Sequence, residues 1–509
     1  MSGAVFVGSG LANDLTVSCD VCIIGSGAGG SVLAAGLAER GLDVVVLEEG
    51  GYHTRAEFTL QERDAFPMLY QDRGTRGTAD LAITILQGRS VGGGTTINWT
   101  TCFRTPDRIL HHWRDVHGLD HLTRAALDPH FEAVEQRLGI AEWPANNANN
   151  SKLEEGCAAL GWEHSQLRRN VRGCANSGYC GVGCPVDGKQ AMHLTYLPDA
   201  LDAGARLFAD TRVDRLEVAG GRVVAVHASV LDRASGRPSG VAVTVRPKVT
   251  VSSAGAINGP ALLLRSGLDD GLVGRRTFLH PVVGVGGRYA EPVHPYYGAP
   301  QSVGSHHFID RGDKMGFFLE CPPLQPMLAS TVFNGFGLEH QEFMADLPHL
   351  GAIIALQVDG LLAGDEGGTV SLRRDGRIRV DYPVEPALVE AMRASTVAMA
   401  RIVLAAGAEE VASMHVEPVR LRDAAGLARL EAAPYGALEH AIFSAHQMGG
   451  CMMGNDPAAS VVGPDFQHHR VAGLYVVDGS VLPTALGVNP SQTIYGLAHF
   501  ACDEVAGAV

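Results

Sequence analysis

Cys19-Asp-Val-Cys-Ile-Ile-Gly25-Ser-Gly-Ala-Gly-Gly30, followed by Val44-Val-Val-Leu47-Glu48, decides the fold. Cys19 to Ile24 reads as a buried strand, apolar except at Asp20, and Gly25 to Arg40 as a glycine turn opening a helix. Val44 to Leu47 is the next strand, so the order begins a βαβ unit and a parallel sheet. Gly25, Gly27 and Gly30 fit G-x-G-x-x-G: the first for a tight turn, the second for close approach of backbone N–H groups to a pyrophosphate, the third for packing helix on strand. Glu48 ends the second strand, at the spacing where a carboxylate would hydrogen-bond the adenosine ribose. Motif and spacing alone do not separate FAD from NAD.

Around this nucleus the 509 residues leave room for more than one domain. An apolar fraction of 46% and a charged fraction of 19% suit a globular protein with a large core. The net charge of -15, with no Lys/Arg run, argues against nucleic-acid binding. Met1 to Leu11 lacks a basic n-region and is a poor signal peptide, so a cytoplasmic location is expected. The best apolar run, Leu350 to Leu362, is broken by Gln357 and Asp359 and falls short of a membrane span. Peripheral membrane contact is left open. Ten cysteines in a chain of this length do not make a disulfide scaffold, which points to mostly reduced thiols.

Farther out, residues 106 to 170 read as helical and polar, with Ala145-Asn-Asn-Ala-Asn-Asn-Ser151 as a loop. Short strands are expected at Arg206 to Ala209, Val213 to Val218, Arg222 to Val230 and Val241 to Val251. Residues 284 to 440 mix strands with helices such as Pro386 to Ala406, and no internal repeat is present. The fold class expected is α/β. A Rossmann-like FAD-binding domain would be assembled from 15–110, 190–283 and 441–509, with a helical and cysteine-loop insert at 111–189. A substrate domain of antiparallel sheet and helices would occupy 284–440.

A second glycine cluster, Gln87-Gly-Arg-Ser-Val-Gly-Gly-Gly-Thr-Thr-Ile-Asn-Trp-Thr100, is dense enough in glycines and hydroxyls to lie against a flat, phosphate-bearing cofactor. Taken alone it could equally be a flexible loop. In context it resembles the first signature of the glucose–methanol–choline (GMC) flavoprotein oxidoreductases, and Ser253-Ala-Gly-Ala-Ile-Asn-Gly-Pro-Ala-Leu-Leu-Leu-Arg-Ser-Gly267 resembles the second. Phe278-Leu-His-Pro281 is similar to a short element that follows it. The wording of Ser444-Ala-His-Gln-Met-Gly449 and Pro483-Thr-Ala-Leu-Gly-Val-Asn-Pro490 resembles the long-chain alcohol oxidase branch and its bacterial relatives. Two departures touch flavin contact: Gly94-Thr95-Thr96 where Ser-Ser often follows the paired glycines, and Met452 where Arg is usual.

The resemblance implies FAD, contacted at Gly93, Thr95, Asn98, Asp478 and Gly479 besides the first fingerprint. It implies oxidation of an alcohol to an aldehyde or ketone, with hydride passing to flavin N5. His446 matches the family's base, and histidine suits the task because its unperturbed pKa lies near neutrality. Asn489 matches the partner that hydrogen-bonds the same oxygen. Branch resemblance and Ala485-Leu486-Gly487-Val488 point to a hydrophobic alcohol. His280 is placed near the site without an assigned role. His499 is expected in core packing, and His468-His469 as a surface loop pair. A lyase on the same flavin fold, a non-catalytic flavin-binding or partner-binding protein, and a nicotinamide-linked dehydrogenase are the rivals, the last opposed by the lack of a second nucleotide fingerprint.

Cys174, Cys180 and Cys184 carry three further readings. Their spacing, C-x5-C-x3-C before Pro185, suits iron–sulfur ligands, and it resembles the loop of FAD-dependent glucose and fructose dehydrogenases that implies a [3Fe-4S] cluster. A disulfide or free structural thiols is the second reading, and zinc with His193 as fourth ligand the third. A cluster would favour an electron-acceptor protein; oxygen, quinone and a cytochrome are all open. Cys19 and Cys22 have C-x-x-C form but lie on a strand, where residues three apart face opposite sides, and read as small buried hydrophobes.

Overall fold

The computed structural model describes residues 3–333 and 335–509. Leu15–Ile24 is the central strand of the first sheet. It pairs in parallel with Val44–Leu47 on one side and Pro238–Ser252 on the other. Beyond Val44–Leu47 the sheet continues in parallel through Arg206–Phe208 to Ala4–Phe6. On the other flank Leu474–Val476 joins in parallel, and Arg222–Leu231 and Thr211–Ala219 extend the sheet antiparallel. Stretches hundreds of residues apart thus share one sheet. All four residues of Val44–Leu47 are buried, as expected of a parallel strand covered on both faces. Helix Ala28–Glu39 crosses between the first two strands and packs against the C-terminal helix Ser491–Gly507.

The second sheet is antiparallel around Val282–Arg288 and Leu350–Gln357, in register from Val282 opposite Leu356 to Arg288 opposite Leu350. Every residue of Leu350–Gln357 is buried, because successive side chains serve two cores. Ile353 and Ala355 pack with helix Pro386–Ala405, while Ile354 and Leu356 join the core beneath the first sheet. Ile83–Ile85 and Ile442–Ser444 pair in parallel and join this sheet, and Ser165–Gln166 adds to its far edge. Mixed α/β architecture with a parallel cofactor sheet and a separate antiparallel sheet is therefore the fold. Among the described residues, no helix is long and apolar enough to cross a membrane.

Two local expectations are corrected. Ala145 to Ser151 is not a loop: helix Ala148–Leu160 starts inside it, with Asn147 accepting from the Asn150 N–H. Asn149 and Asn150 are buried because their amides satisfy backbone groups, Asn149 at Ala352 and Pro322 and Asn150 at Ser302 and Val303. His468 is buried rather than superficial, its Nδ1 accepting from the Arg470 N–H.

Candidate active site

The first fingerprint sits where the chain leaves the central strand. Gly25 has φ +99°, and a Cβ there would lie 2.4 Å from the Ser253 carbonyl oxygen. A Cβ at Gly30 would lie 2.0 Å from the Gly25 oxygen, so the helix can approach the turn only without a side chain. Gly27 is the N-cap of the helix and faces nearly open space, a cradle for an anion at a helix N-terminus. Glu48 accepts from the Ser26 N–H at 2.9 Å, the Ser26 hydroxyl at 2.8 Å and the Gly50 N–H at 2.7 Å. Its burial raises its pKa against the pull of those donors.

The second glycine cluster lies directly on the first, since a Cβ on Gly93 would come within 2.8 Å of the Gly27 Cα. Thr95 holds this loop by donating to the Gly92 carbonyl and accepting from the Met192 N–H. Asn98 leaves a buried Oδ1 without a partner. Asp478 accepts from the Gly255 and Ser480 N–H groups, each at 2.7 Å, tying the C-terminal segment to the middle signature. One cavity of about 1080 Å³ runs past all these segments. Of the residues expected at the site, all line it except Gly30, which packs beneath, and the three cysteines.

His446, which follows strand Ile442–Ser444, and Asn489, which precedes the last helix, both line this cavity. His446 Nε2 lies 3.4 Å from Asn489 Nδ2. Burial drives the His446 pKa down to about 4, so the ring is neutral at pH 7. Val282, Ile354, Leu356 and Phe443 give the cavity an apolar wall, with the Gln301 amide as a polar exception.

Three further groups were not singled out from sequence. Glu320 ends the buried strand Phe317–Glu320 and accepts from Gln301 Nε2 at 2.5 Å and Asn489 Nδ2 at 3.4 Å. Burial lifts its pKa to about 8, so it is protonated at neutral pH, and its Oε1 has no partner. Asp359, also buried, accepts from the Leu279 and His280 N–H groups and from the Tyr382 hydroxyl. Lys189 places a buried ammonium among three carbonyls, those of Thr96, Asn98 and Cys180. A charged residue closing an all-apolar run, as in Phe317-Phe-Leu-Glu320, was the available signal for Glu320. Asp359 carried the same signal, breaking the apolar run Leu350 to Leu362, and Lys189 had no mark of this kind.

Cys174, Cys180 and Cys184 are free thiols, and among the described residues no three His, Cys, Asp or Glu side chains form a group that could hold a metal ion. The iron–sulfur and zinc readings therefore find no ligand set. Instead Cys184 accepts from the Lys189 N–H and Cys180 from Arg169, while His193 faces Thr96 on the second glycine cluster. Cys19 and Cys22 are buried as expected.

The cavity is thus lined by two glycine clusters suited to a dinucleotide cofactor and by a neutral histidine beside an amide. Two sequence models described as GMC oxidoreductase match residues 66–282 and 365–498, and one described as FAD binding domain matches 20–57. An uncharacterized GMC-type oxidoreductase, Rv0492c of Mycobacterium tuberculosis (strain ATCC 25618 / H37Rv), is 33% identical over 504 residues, covering 96% of this chain and 76% of that protein. Long-chain-alcohol oxidase FAO4A of Arabidopsis thaliana is 30% identical over 513 residues, covering 95% and 68%. The fold is similar to that of pyridoxine 4-oxidase from Mesorbium loti, with TM-score 0.71 and 19% identity over 95% of this chain and 98% of that one. The chain belongs to the GMC oxidoreductase family and is an FAD-dependent oxidoreductase.

Proposed function

We propose that the protein oxidises a hydrophobic alcohol to an aldehyde or ketone, with His446 and Asn489 holding the alcohol oxygen and His446 taking its proton. The observation carrying this reading is the convergence of His446 Nε2 and Asn489 Nδ2 on a cavity that also contains both glycine clusters and an apolar wall. FAD, held along Gly25, Gly27, Glu48, Gly93, Thr95, Asn98, Asp478 and Gly479, supplies the hydride acceptor. The unpartnered Asn98 Oδ1 and the open space at Gly27 suit such a ligand.

Each side chain has a separable task. The depressed His446 pKa leaves the ring uncharged over the physiological range, so proton uptake is not pre-empted by solvent. Asn489 offers an N–H to the same oxygen while Glu320 fixes the amide from behind. Val282, Ile354, Leu356 and Phe443 would take an alkyl chain and exclude water. The long-chain-alcohol oxidase relatives support this substrate class.

Anaerobic titration of the holoprotein with primary alcohols of increasing chain length tests the reading. Loss of the oxidised flavin band, steeper with longer chains, is expected. Flavin that stays oxidised with every alcohol refutes oxidation and leaves the lyase and non-catalytic alternatives.

A further inference from the structure

His280 is a tightly held residue near the site that the reaction has not used. It is fully buried and has a left-handed backbone, φ +43°, which a non-glycine residue adopts only when its surroundings enforce it. Here the Asp359 carboxylate grips the Leu279 and His280 N–H groups at 2.8 and 3.1 Å. The Ser444 hydroxyl donates to the Leu279 carbonyl and accepts from the His446 N–H, joining the two histidine segments.

Both ring nitrogens of His280 are engaged. The Gly487 N–H donates to Nε2 at 3.1 Å, and Nδ1 lies 3.1 Å from His446 Nδ1. The Gly487 amide can only donate, so His280 Nε2 must carry a lone pair. A neutral imidazole has one N–H, which places the His280 hydrogen on Nδ1. That hydrogen points at His446 Nδ1, which must then accept, so the neutral His446 ring carries its own hydrogen on Nε2. Burial keeps both rings neutral at pH 7, and the His446 ring and the Arg108 cation further oppose charge on His280.

We infer that His280 is a positioning residue that, braced by the Gly487 N–H, locks resting His446 in the Nε2–H tautomer. This deepens the alcohol-oxidation reading and rests on it for its catalytic meaning. The lock leaves its one donor–donor contact at the longest of the three, His446 Nε2–H facing the Asn489 Nδ2–H group at 3.4 Å against 3.1 Å at Gly487 and between the rings, and an alcohol oxygen entering there would accept from both, an arrangement that stabilises an oxygen gaining negative charge. Uptake of the alcohol proton at Nε2 needs the opposite tautomer. For that, the hydrogen between the rings crosses from His280 Nδ1 to His446 Nδ1, one hydrogen leaves His446 Nε2 to solvent, and one arrives from solvent on His280 Nε2. The reversed pair sets two N–H groups head-on at Gly487. The lock therefore fixes what fraction of His446 is ready to accept a proton, and a rate that needs that state scales with the fraction.

Holoenzyme labelled with ¹⁵N-histidine, read by long-range ¹H–¹⁵N correlation at pH 7, tests the lock, with His446 assigned from the signals lost in His446→Gln. The expected result is a pyridine-type Nδ1 and a pyrrole-type Nε2; the reverse assignment overturns the inference. In His280→Phe the His446 ring should lose that pattern and shift toward averaged or reversed nitrogens. Retention of the wild-type pattern would show that His280 is not the lock. Should His280→Phe fail to fold, the wild-type assignment decides alone. Locked tautomers in an enzyme inert to alcohols would refute the substrate reading and leave the lock standing. Reversed tautomers in an active enzyme would do the opposite.

Discussion

Replacing Glu320 by Gln should make the protein more stable, by a margin that widens as pH rises. Burial raises the Glu320 pKa from 4.5 to about 8, with the Asn489 and Gln301 amides only partly offsetting the lost hydration. Between those two values the folded chain holds a proton that the unfolded chain has released. Folding then takes up a proton, so this carboxyl costs stability progressively as pH climbs through the window. Each pH unit inside the window is about 1.4 kcal/mol. Gln at this position keeps an oxygen for the two amide donors and carries no such penalty. The advantage of Glu320→Gln over wild type should therefore grow by about 2–3 kcal/mol between pH 5.5 and 7.5. Urea unfolding of both holoproteins at the two pH values, followed by tryptophan fluorescence, measures it. A difference that stays flat across that interval would mean that Glu320 is not a protonated buried carboxyl, and the electrostatic picture behind Asn489 would fall.

Other consequences are equally direct. Gly30→Ala drives a methyl to 2.0 Å from the Gly25 oxygen, so purified protein should lose most of its FAD, read from its absorbance ratio. Lys189→Met strands the carbonyls of Thr96, Asn98 and Cys180 at about 1–3 kcal/mol each, and should lower the thermal midpoint and speed FAD release. Because burial lowers the His446 pKa to about 4, the base form persists above that value. The rate of flavin reduction should be level through neutral pH and decline only on acidification toward pH 4, seen in a stopped-flow pH profile. A limb near 6.5 would place the ring in a solvated setting.

The cofactor half was legible because its constraints are local. Gly25 and Gly30 must lack a Cβ for reasons contained within a single turn, and Glu48 follows from strand length. The His446–Asn489 pair was legible only through its resemblance to known segments, since a histidine among glycines and methionines otherwise reads as core. What stayed hidden depends on long-range placement. Glu320 meets Asn489 from 169 residues away, and His280 meets His446 from 166. Sequence spacing cannot report a tautomer set by Gly487. The asparagine run at 146–150 misled because composition marks turns, whereas burial converted those amides into caps for backbone groups. The cysteine ladder shows the same gap between spacing and placement: its spacing suited a cluster, whereas the Cys180 and Cys184 thiols meet Arg169 and the Lys189 N–H.

The proposed reaction is hydride abstraction from an alcohol carbon held beside the His446–Asn489 pair. Its most direct test is anaerobic stopped-flow mixing of the holoprotein with a medium-chain primary alcohol, protonated or dideuterated at the carbinol carbon, in wild type and His446→Ala. Bleaching of the oxidised flavin band is expected in wild type, several-fold slower with the deuterated alcohol, and at least about a hundredfold slower in the variant, which still holds FAD. Flavin that stays oxidised in wild type, or bleaching undiminished in His446→Ala, would contradict it.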